Sequence, residues 1–421
     1  MKLISALKDK NYRIFISGQA LSNIGNLMQQ VAVSWLAYQL TDSAFILGIV
    51  TSAKQMAAFF TGLFAGVIAD RFNKKLIIQG AQVLIGISSL VLALITWMEL
   101  ASIVLLISIQ LFMGLMKGLE MPCRQALVNN LLKDKSLLGN AIALNSTVFN
   151  TARVVGPGIA GLLIPLAGEA TCFLIYGILS FVIVITLLFV KTYGESIKSS
   201  KLNFRAEFLE GTQYAFGFPT IKLSILFVGA FTFVGVSFVV LLPLLTGEVF
   251  NRGSDVFGYM NSALGLGAIL GGIYLANRLS AAGIQRLIFY AAGIFSLSLL
   301  AVAFSNMLAI TLIAIACTGL GRVIVFAGTN TLLQTISAED KRGRVLSLYI
   351  AMFMASVTLG GLLVGAIADW IGVIPTILLE GLLCLTITIF YLGRVKILER
   401  TDTEARSIFP SEVEPLSKAS S

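Results

Sequence analysis

The sequence predicts an all-α integral membrane protein of twelve transmembrane helices, arranged as two pseudo-symmetric six-helix bundles. Three observations predict it. The 421-residue chain is 57% hydrophobic and only 12% charged, which excludes an ordinary soluble enzyme. Its apolar runs are mostly ~20–25 residues long, enough to cross about 30 Å of hydrocarbon, and in lipid such runs must be helices to satisfy their own backbone groups. The cations are also lopsided. Of 30 Lys and Arg, all but Lys54, Lys117, Arg153, Arg252 and Arg322 fall in the tails, in the loops after even-numbered runs, or within three residues of them. That bias assigns both termini and the long central loop to the cytoplasmic side of an inner membrane.

The elements follow in order. The first ten residues are short and basic, with Leu3, Ile4 and Leu7 on one side, and are expected at the inner interface. Six spans follow at about 13–38, 44–69, 76–97, 102–121, 140–166 and 171–190, making a first bundle of residues 1–190. The first run is of full length and no small-residue cleavage site closes it, so it is read as a helix and not as a signal peptide. A polar linker at 191–218 carries Lys198, Lys201 and Arg205. Six more spans lie at about 220–245, 255–276, 287–304, 308–333, 345–368 and 373–392, within a second bundle of 219–396. The polar tail, 397–421, holds Pro410 and Pro415 and is expected to be disordered.

What is absent narrows the function. The net charge of +9 sits in short loops and does not argue for nucleic acid. Cys123, Cys172, Cys317 and Cys384 form no paired motif and read as small apolar fillers. There is no histidine, so the usual imidazole proton shuttle and the commonest metal ligand are missing. No metal and no cofactor is predicted, and the chain is expected to act as a monomer.

The halves echo one another. Gly156-Pro157 and Gly161 recur as Gly360-Gly361 and Gly365, 204 residues later. Two repeats of six helices place a substrate site near mid-membrane between them.

One loop stands out. Gly66-Val67-Ile68-Ala69-Asp70-Arg71-Phe72-Asn73-Lys74-Lys75 joins the second and third spans. Gly66 allows a neighbouring helix to approach closely. Asp70 sits at the helix end, where a carboxylate can meet another helix's N-terminus or an Arg. Arg71, Lys74 and Lys75 hold the loop on the cytoplasmic side. The order Gly, three residues, Asp, cation, two residues, two cations resembles the signature loop of the major facilitator superfamily. The corresponding place in the second half, around Asn277-Arg278, is degenerate, because Asn277 replaces the acid.

Further motifs narrow the resemblance. They are Asn11-Tyr12-Arg13, Phe15, Gly18-Gln19, Ser22, Trp35, Leu40-Thr41-Asp42-Ser43, Pro122 with Arg124-Gln125-Ala126-Leu127, Gly156-Pro157 and Arg342-Gly343-Arg344-Val345. Together these resemble the twelve-helix branch that contains macrolide-efflux proteins and the enterobactin exporter. The resemblance implies export driven by an ion gradient, most often protons. It also implies gating roles for Gly66, Asp70, Arg71, Lys74, Lys75, Arg124, Gly156 and Pro157. Asp70 is expected to face the start of helix 11, near 343–346, when the cytoplasmic side is closed.

The polar residues inside the spans suggest where substrate binds. Gln19, Asn23, Asn26 and Gln30 share one face of helix 1 and read as a cavity wall. Interhelical hydrogen bonding is the plainer reading of such amides. Lys54, Arg153 and Arg322 lie deep in their spans, where each costs about 2.5–3.5 kcal/mol to insert. With Asn150, one turn before Arg153, they complete the substrate-binding set. Lys117 and Glu120 could instead pair with each other at the cytoplasmic end. Glu380 and Glu120 are the carboxyl groups within spans that could carry a coupling proton. Three deep cations against one deep acid suggest a basic cavity, suited to a small organic anion such as a siderophore. The alternatives are a lysophospholipid flippase of the same fold and a macrolide or drug pump. A non-transporting scaffold would have no use for an intact gate loop.

Overall fold

The computed structural model describes residues 5–41, 43–192, 212–277, 283–338 and 341–408, excluding the side chains of 63–64, 66–71, 129 and 396–408. Leu3, Ile4, Asp42, the linker cations, Arg278 and the side chains of Gly66, Asp70 and Arg71 therefore lie outside the described residues, as does the tail after 408.

Ser5–Lys8 forms one 3₁₀ turn. Four helices follow: α1 Lys10–Thr41, α2 Ala44–Arg71, α3 Lys74–Trp97 and α4 Ile103–Leu131. The stretch Leu138–Leu188 is helical throughout, but Gly168 at φ 74, ψ 169 turns the chain back. Only glycine adopts that conformation without strain, and it splits the stretch into α5 (138–167) and α6 (169–188). In the second half, α7 begins as Pro219–Gly235 and continues through a 3₁₀ stretch, Val236–Leu241, a short turn with Pro243, and a π turn, Leu245–Val249. Then come α8 Ser254–Ala276, α9 Ile284–Phe304, α10 Leu308–Ile336, α11 Arg342–Ile371 and α12 Val373–Ile408. The last runs past 396, into the stretch assigned from sequence to the tail.

Among the described residues, ten helices are long and apolar enough to cross a membrane. One of them, Lys135–Leu188, holds two crossings. The twelfth crossing is α1, whose 32 residues are ample at about 1.5 Å rise each, but whose Gln and Asn side chains dilute its hydrophobicity.

The end of α4 corrects the sequence reading, which closed that helix at Met121. Pro122 lies inside a helix that continues to Leu131. A proline forfeits one backbone hydrogen bond. The following turns recover it by burying Cys123, Leu127 and Leu131, one helical face, against Tyr12, Phe15 and Ile183.

The packing is two-fold. In the first half α1 pairs with α5, α2 with α4 and α3 with α6; in the second α7 pairs with α11, α8 with α10 and α9 with α12. The halves meet along α2–α11 and α5–α8, a symmetry-related pair of seams. We call the face carrying the chain ends the near face and the opposite one the far face. At the near face the first half is tied to itself. Tyr12 Oη donates to the Ala141 carbonyl (2.7 Å), Asn140 Oδ1 accepts from Ala6 N (2.8 Å) and Asn11 Oδ1 accepts from Lys191 N (3.2 Å).

The halves are joined through the far part of the membrane. Trp35 of α1 stacks on Phe257 of α8 with centroids 5.8 Å apart. On the α5–α8 seam a Cβ on Gly161 would meet the Gly258 Cα at 2.9 Å, and Ser262 Oγ donates to the Val154 carbonyl at 3.1 Å. Close glycine contact of this kind is how helices associate tightly in lipid.

Candidate functional site

The first half encloses a polar core that begins with Lys54 on α2. Its Nζ donates to Asn26 Oδ1 and Gln29 Oε1 of α1, each at 3.1 Å, and lies 6.0 Å from the Tyr176 ring centroid. Gln29 is wholly buried and passes the chain on, donating to Gln110 Oε1 (3.3 Å) and the Met113 sulfur (3.4 Å). Tyr176 Oη also donates to Asn26 Oδ1, at 3.3 Å. Gln29, Gln110 and Tyr176 escaped the sequence reading. Gln29 lies about 80° off the amide stripe, so only the position of α4 and α2 reveals its role.

Glu120 lies beside this core and is 1% exposed. It accepts from Lys117 Nζ at 2.9 Å and from Gln82 Nε2 at 2.7 Å, and it forms an ion pair with Arg124. Lys117 and Arg124 stand three and four residues from Glu120, so one helical face presents all three. The pairing of Lys117 with Glu120 is thus the one the spacing allowed. Arg124, assigned from sequence to the gate, uses its guanidinium on Glu120. The Lys54 carbonyl packs on Gly114 of α4, three residues before Lys117.

The amide stripe is distributed among several partners. Gln19 is buried and donates from Nε2 to Asn145 Oδ1 of α5 at 2.8 Å, while its Oε1 has no hydrogen-bond partner. Asn23 is buried with an unpartnered Nδ2. Asn26 is half-buried on Lys54, and Gln30 is exposed. Buried amide groups of this kind want a partner, protein or ligand.

Arg153 and Arg322 belong to opposite halves, on α5 and α10. Arg153 lies over the Phe149 ring, 4.7 Å from its centroid, and its backbone carbonyl packs on Gly265 of α8. α8 packs on both helices, Gly265 against the Arg153 carbonyl and Gly271 against the carbonyl of Leu320, two residues before Arg322. Both are half-buried, as is Asn150 one turn before Arg153. Lys54 and Lys117, on α2 and α4, and Arg153 and Arg322, on α5 and α10, are thus built on different helices.

The gate residues are placed as follows. Asp70 lies in the last turn of α2. Lys75 Nζ donates to the Val190 carbonyl at 2.9 Å, tying the loop to the end of α6. Asn73 caps α3, its Oδ1 accepting from Lys75 N (2.9 Å) and Leu76 N (3.3 Å), a role the sequence reading missed. Lys74 is half-buried. On α11, Gly343 has nothing within 4 Å of where a Cβ would stand. Gly156 lies against α1, where a Cβ would meet the Ile24 carbonyl and Leu27 Cβ, both at 2.9 Å, while the Pro157 carbonyl faces Gly258. Glu380, on α12, is 3% exposed and neither carboxyl oxygen has a hydrogen-bond partner.

The sequence matches the model of the transmembrane secretion effector family over residues 2–419. It is 27% identical over 397 residues to the staphyloferrin A transporter of Staphylococcus aureus, covering 91% of this chain and 96% of the relative. It is 26% identical over 392 residues to macrolide efflux protein A of Streptococcus pyogenes, covering 91% and 95%. Among solved structures, a bacterial homologue of the human lysosomal transporter Spinster, inward-facing and occupied, superposes with a TM-score of 0.76 at 13% identity, covering 93% of this chain and 97% of that one.

Proposed function

Since the chain belongs to the transmembrane secretion effector family and is a secondary transporter of the major facilitator fold, an integral membrane protein and not an enzyme, we propose that it exports a small organic anion of siderophore type. Export is driven by an ion gradient, a proton gradient by our reading, with alternating access to a site between the halves. Both termini and the near face lie in the cytoplasm, as the cation bias argues. Residues 1–190 and 219–396 are the two moving units, 191–218 the linker between them, and the chain acts as a monomer.

The observation that carries the anion is a mid-span arginine on each half, Arg153 of α5 and Arg322 of α10, on two helices that α8 packs against. Two cations from opposite halves repel one another in a low-dielectric site, and a bound anion offsets that repulsion. It would also cross-link the halves through the site. Lys54, Asn150 and the amide stripe Gln19, Asn23, Asn26 and Gln30 complete the wall. The relative named for staphyloferrin A supports the substrate class, and the one named for macrolide efflux supports the direction.

Glu380 is the stronger candidate for the coupling proton, because Glu120 is committed to Lys117, Arg124 and Gln82. The gate set comprises Gly66, Asp70, Arg71, Lys74, Lys75, Gly156 and Pro157; Arg124, expected with them, is held on Glu120.

Proteoliposomes test this reading. Staphyloferrin A, a macrolide and a lysophospholipid are offered in parallel under an imposed pH gradient. Accumulation of the first, abolished when the gradient is collapsed, is the expected result. Movement of the macrolide alone would make the chain a drug pump, and movement of the lysolipid alone a flippase.

A further inference from the structure

The α2–α11 seam carries a contact that no signature motif announces. Asp369, in the last turn of α11, reaches over the start of α2. Its Oδ2 accepts from Ser43 Oγ at 2.6 Å and Phe45 N at 3.3 Å, and its Oδ1 accepts from Ala44 N at 2.7 Å. Ala44 opens α2, and first-turn amides have no partner within their own helix. They also carry the positive end of the helix dipole. The carboxylate thus caps a helix of the other half. Beneath it the seam is closely packed. A Cβ on Gly365 would meet the Ala44 and Phe45 backbone, one on Gly48 the Gly361 carbonyl at 2.6 Å, and Ser52 Oγ donates to the Thr358 carbonyl at 3.1 Å.

The sequence leading to this acid is Gly365-Ala366-Ile367-Ala368-Asp369, and α2 ends in Gly66-Val67-Ile68-Ala69-Asp70. The two helices run antiparallel along one seam. Each therefore ends in the same five-residue pattern, one at each face of the membrane.

We propose that Asp369 is the latch of the far face. It holds that face shut in the state seen here and must release the start of α2 before the far face can open. Asp70, at the other end of the same seam, holds the opposite state, so the two acids compete for the position of the halves. The proposal concerns gating and is independent of which substrate is carried.

The test uses the full-length protein in lipid nanodiscs, with the four cysteines replaced and spin labels placed at Leu100 and Asn306. These are exposed far-face loop positions of the two halves. Distances between them are measured without substrate. Asp369→Ala should raise the ratio of far-open to far-closed molecules by about ten- to a hundredfold, the equivalent of losing a charge-assisted hydrogen-bond set. Asp369→Asn, which keeps an acceptor, and Ser43→Ala should shift it the same way but less. Adding Asp70→Asn to Asp369→Ala should move the ratio back. If Asp369→Ala does not fold, the two milder variants carry the test. Folded variants whose distances match wild type, even with a lowered melting temperature, would show Asp369 to be a structural cap and overturn the latch.

Discussion

Glu120 and Glu380 are both buried carboxyl groups, one in each half, and they are housed in opposite ways. Glu120, 1% exposed, is held by Lys117, Arg124 and Gln82. Glu380, 3% exposed, has no hydrogen-bond partner for either oxygen. Its side of the second bundle is apolar and aromatic: Cys384, one turn on, and Phe295 of α9 both crowd Gly235 of α7. The first half is thus built to keep fixed charges in place, with Lys54, Lys117 and Arg124 outnumbering Glu120. Among the described residues, the second half buries one acid, Glu380, with no hydrogen-bond partner to fix its charge. The halves share a fold and a packing pattern, but among the described residues only the first buries an ion-paired carboxylate.

The largest effect that would break this contrast is on stability. Glu120→Gln removes the buried counter-charge of two half-buried cations, and breaking a fully buried pair costs about 3–5 kcal/mol, an upper bound here. A marked fall in the melting temperature of the detergent-solubilised protein is expected. An unchanged melt would mean the cluster contributes nothing. Next come the two arginines proposed to hold the anion. Arg153→Ala or Arg322→Ala should weaken binding of staphyloferrin A by about ten- to a hundredfold, the worth of a charged hydrogen bond at 1.5–3 kcal/mol. Isothermal titration reads this directly, and equal affinity in both variants would remove the anion preference while leaving the transporter intact. Lys54→Ala should cost less than either arginine, under about tenfold, because Lys54 is occupied by Asn26 and Gln29. A larger loss than at Arg153 would move the site into the first half. Smallest in stability is Glu380→Gln, within about 1 kcal/mol of wild type, since no partner is orphaned. The pH profile of transport in that variant sharpens the comparison. A changed profile assigns the coupling proton to Glu380, and an unchanged one moves the coupling to Asp70, to the substrate or to another ion.

Particular residues show how far the site could be read in advance. Lys117 and Glu120 were legible as a pair because three residues along a helix is a neighbouring position whatever surrounds it. Arg124 was equally close, four residues on, but its place in the branch motif drew it to the gate. Gln29 stood off the stripe, and its importance depends on Lys54 and Gln110 arriving from other helices. Asp369 was the hardest. An acid near water at a helix end is ordinary, and its partner Ser43 lies 326 residues away along the chain.

The sequence by itself determined the crossings, the two-fold repeat, the signature loop and the family. These follow from the bilayer, which demands that each span satisfy its own backbone and reports every deep charge as an exception. Even the polar α1 was legible, because its neighbours fixed the alternation of faces. Only the tertiary structure decided which side chains meet across helices. That depends on how each helix is rotated about its axis and how closely small residues such as Gly48, Gly258 and Gly361 let backbones approach. Rotation by one residue, about 100°, would take Lys54 off Asn26 and Asp369 off the start of α2, with the hydrophobic runs unaltered.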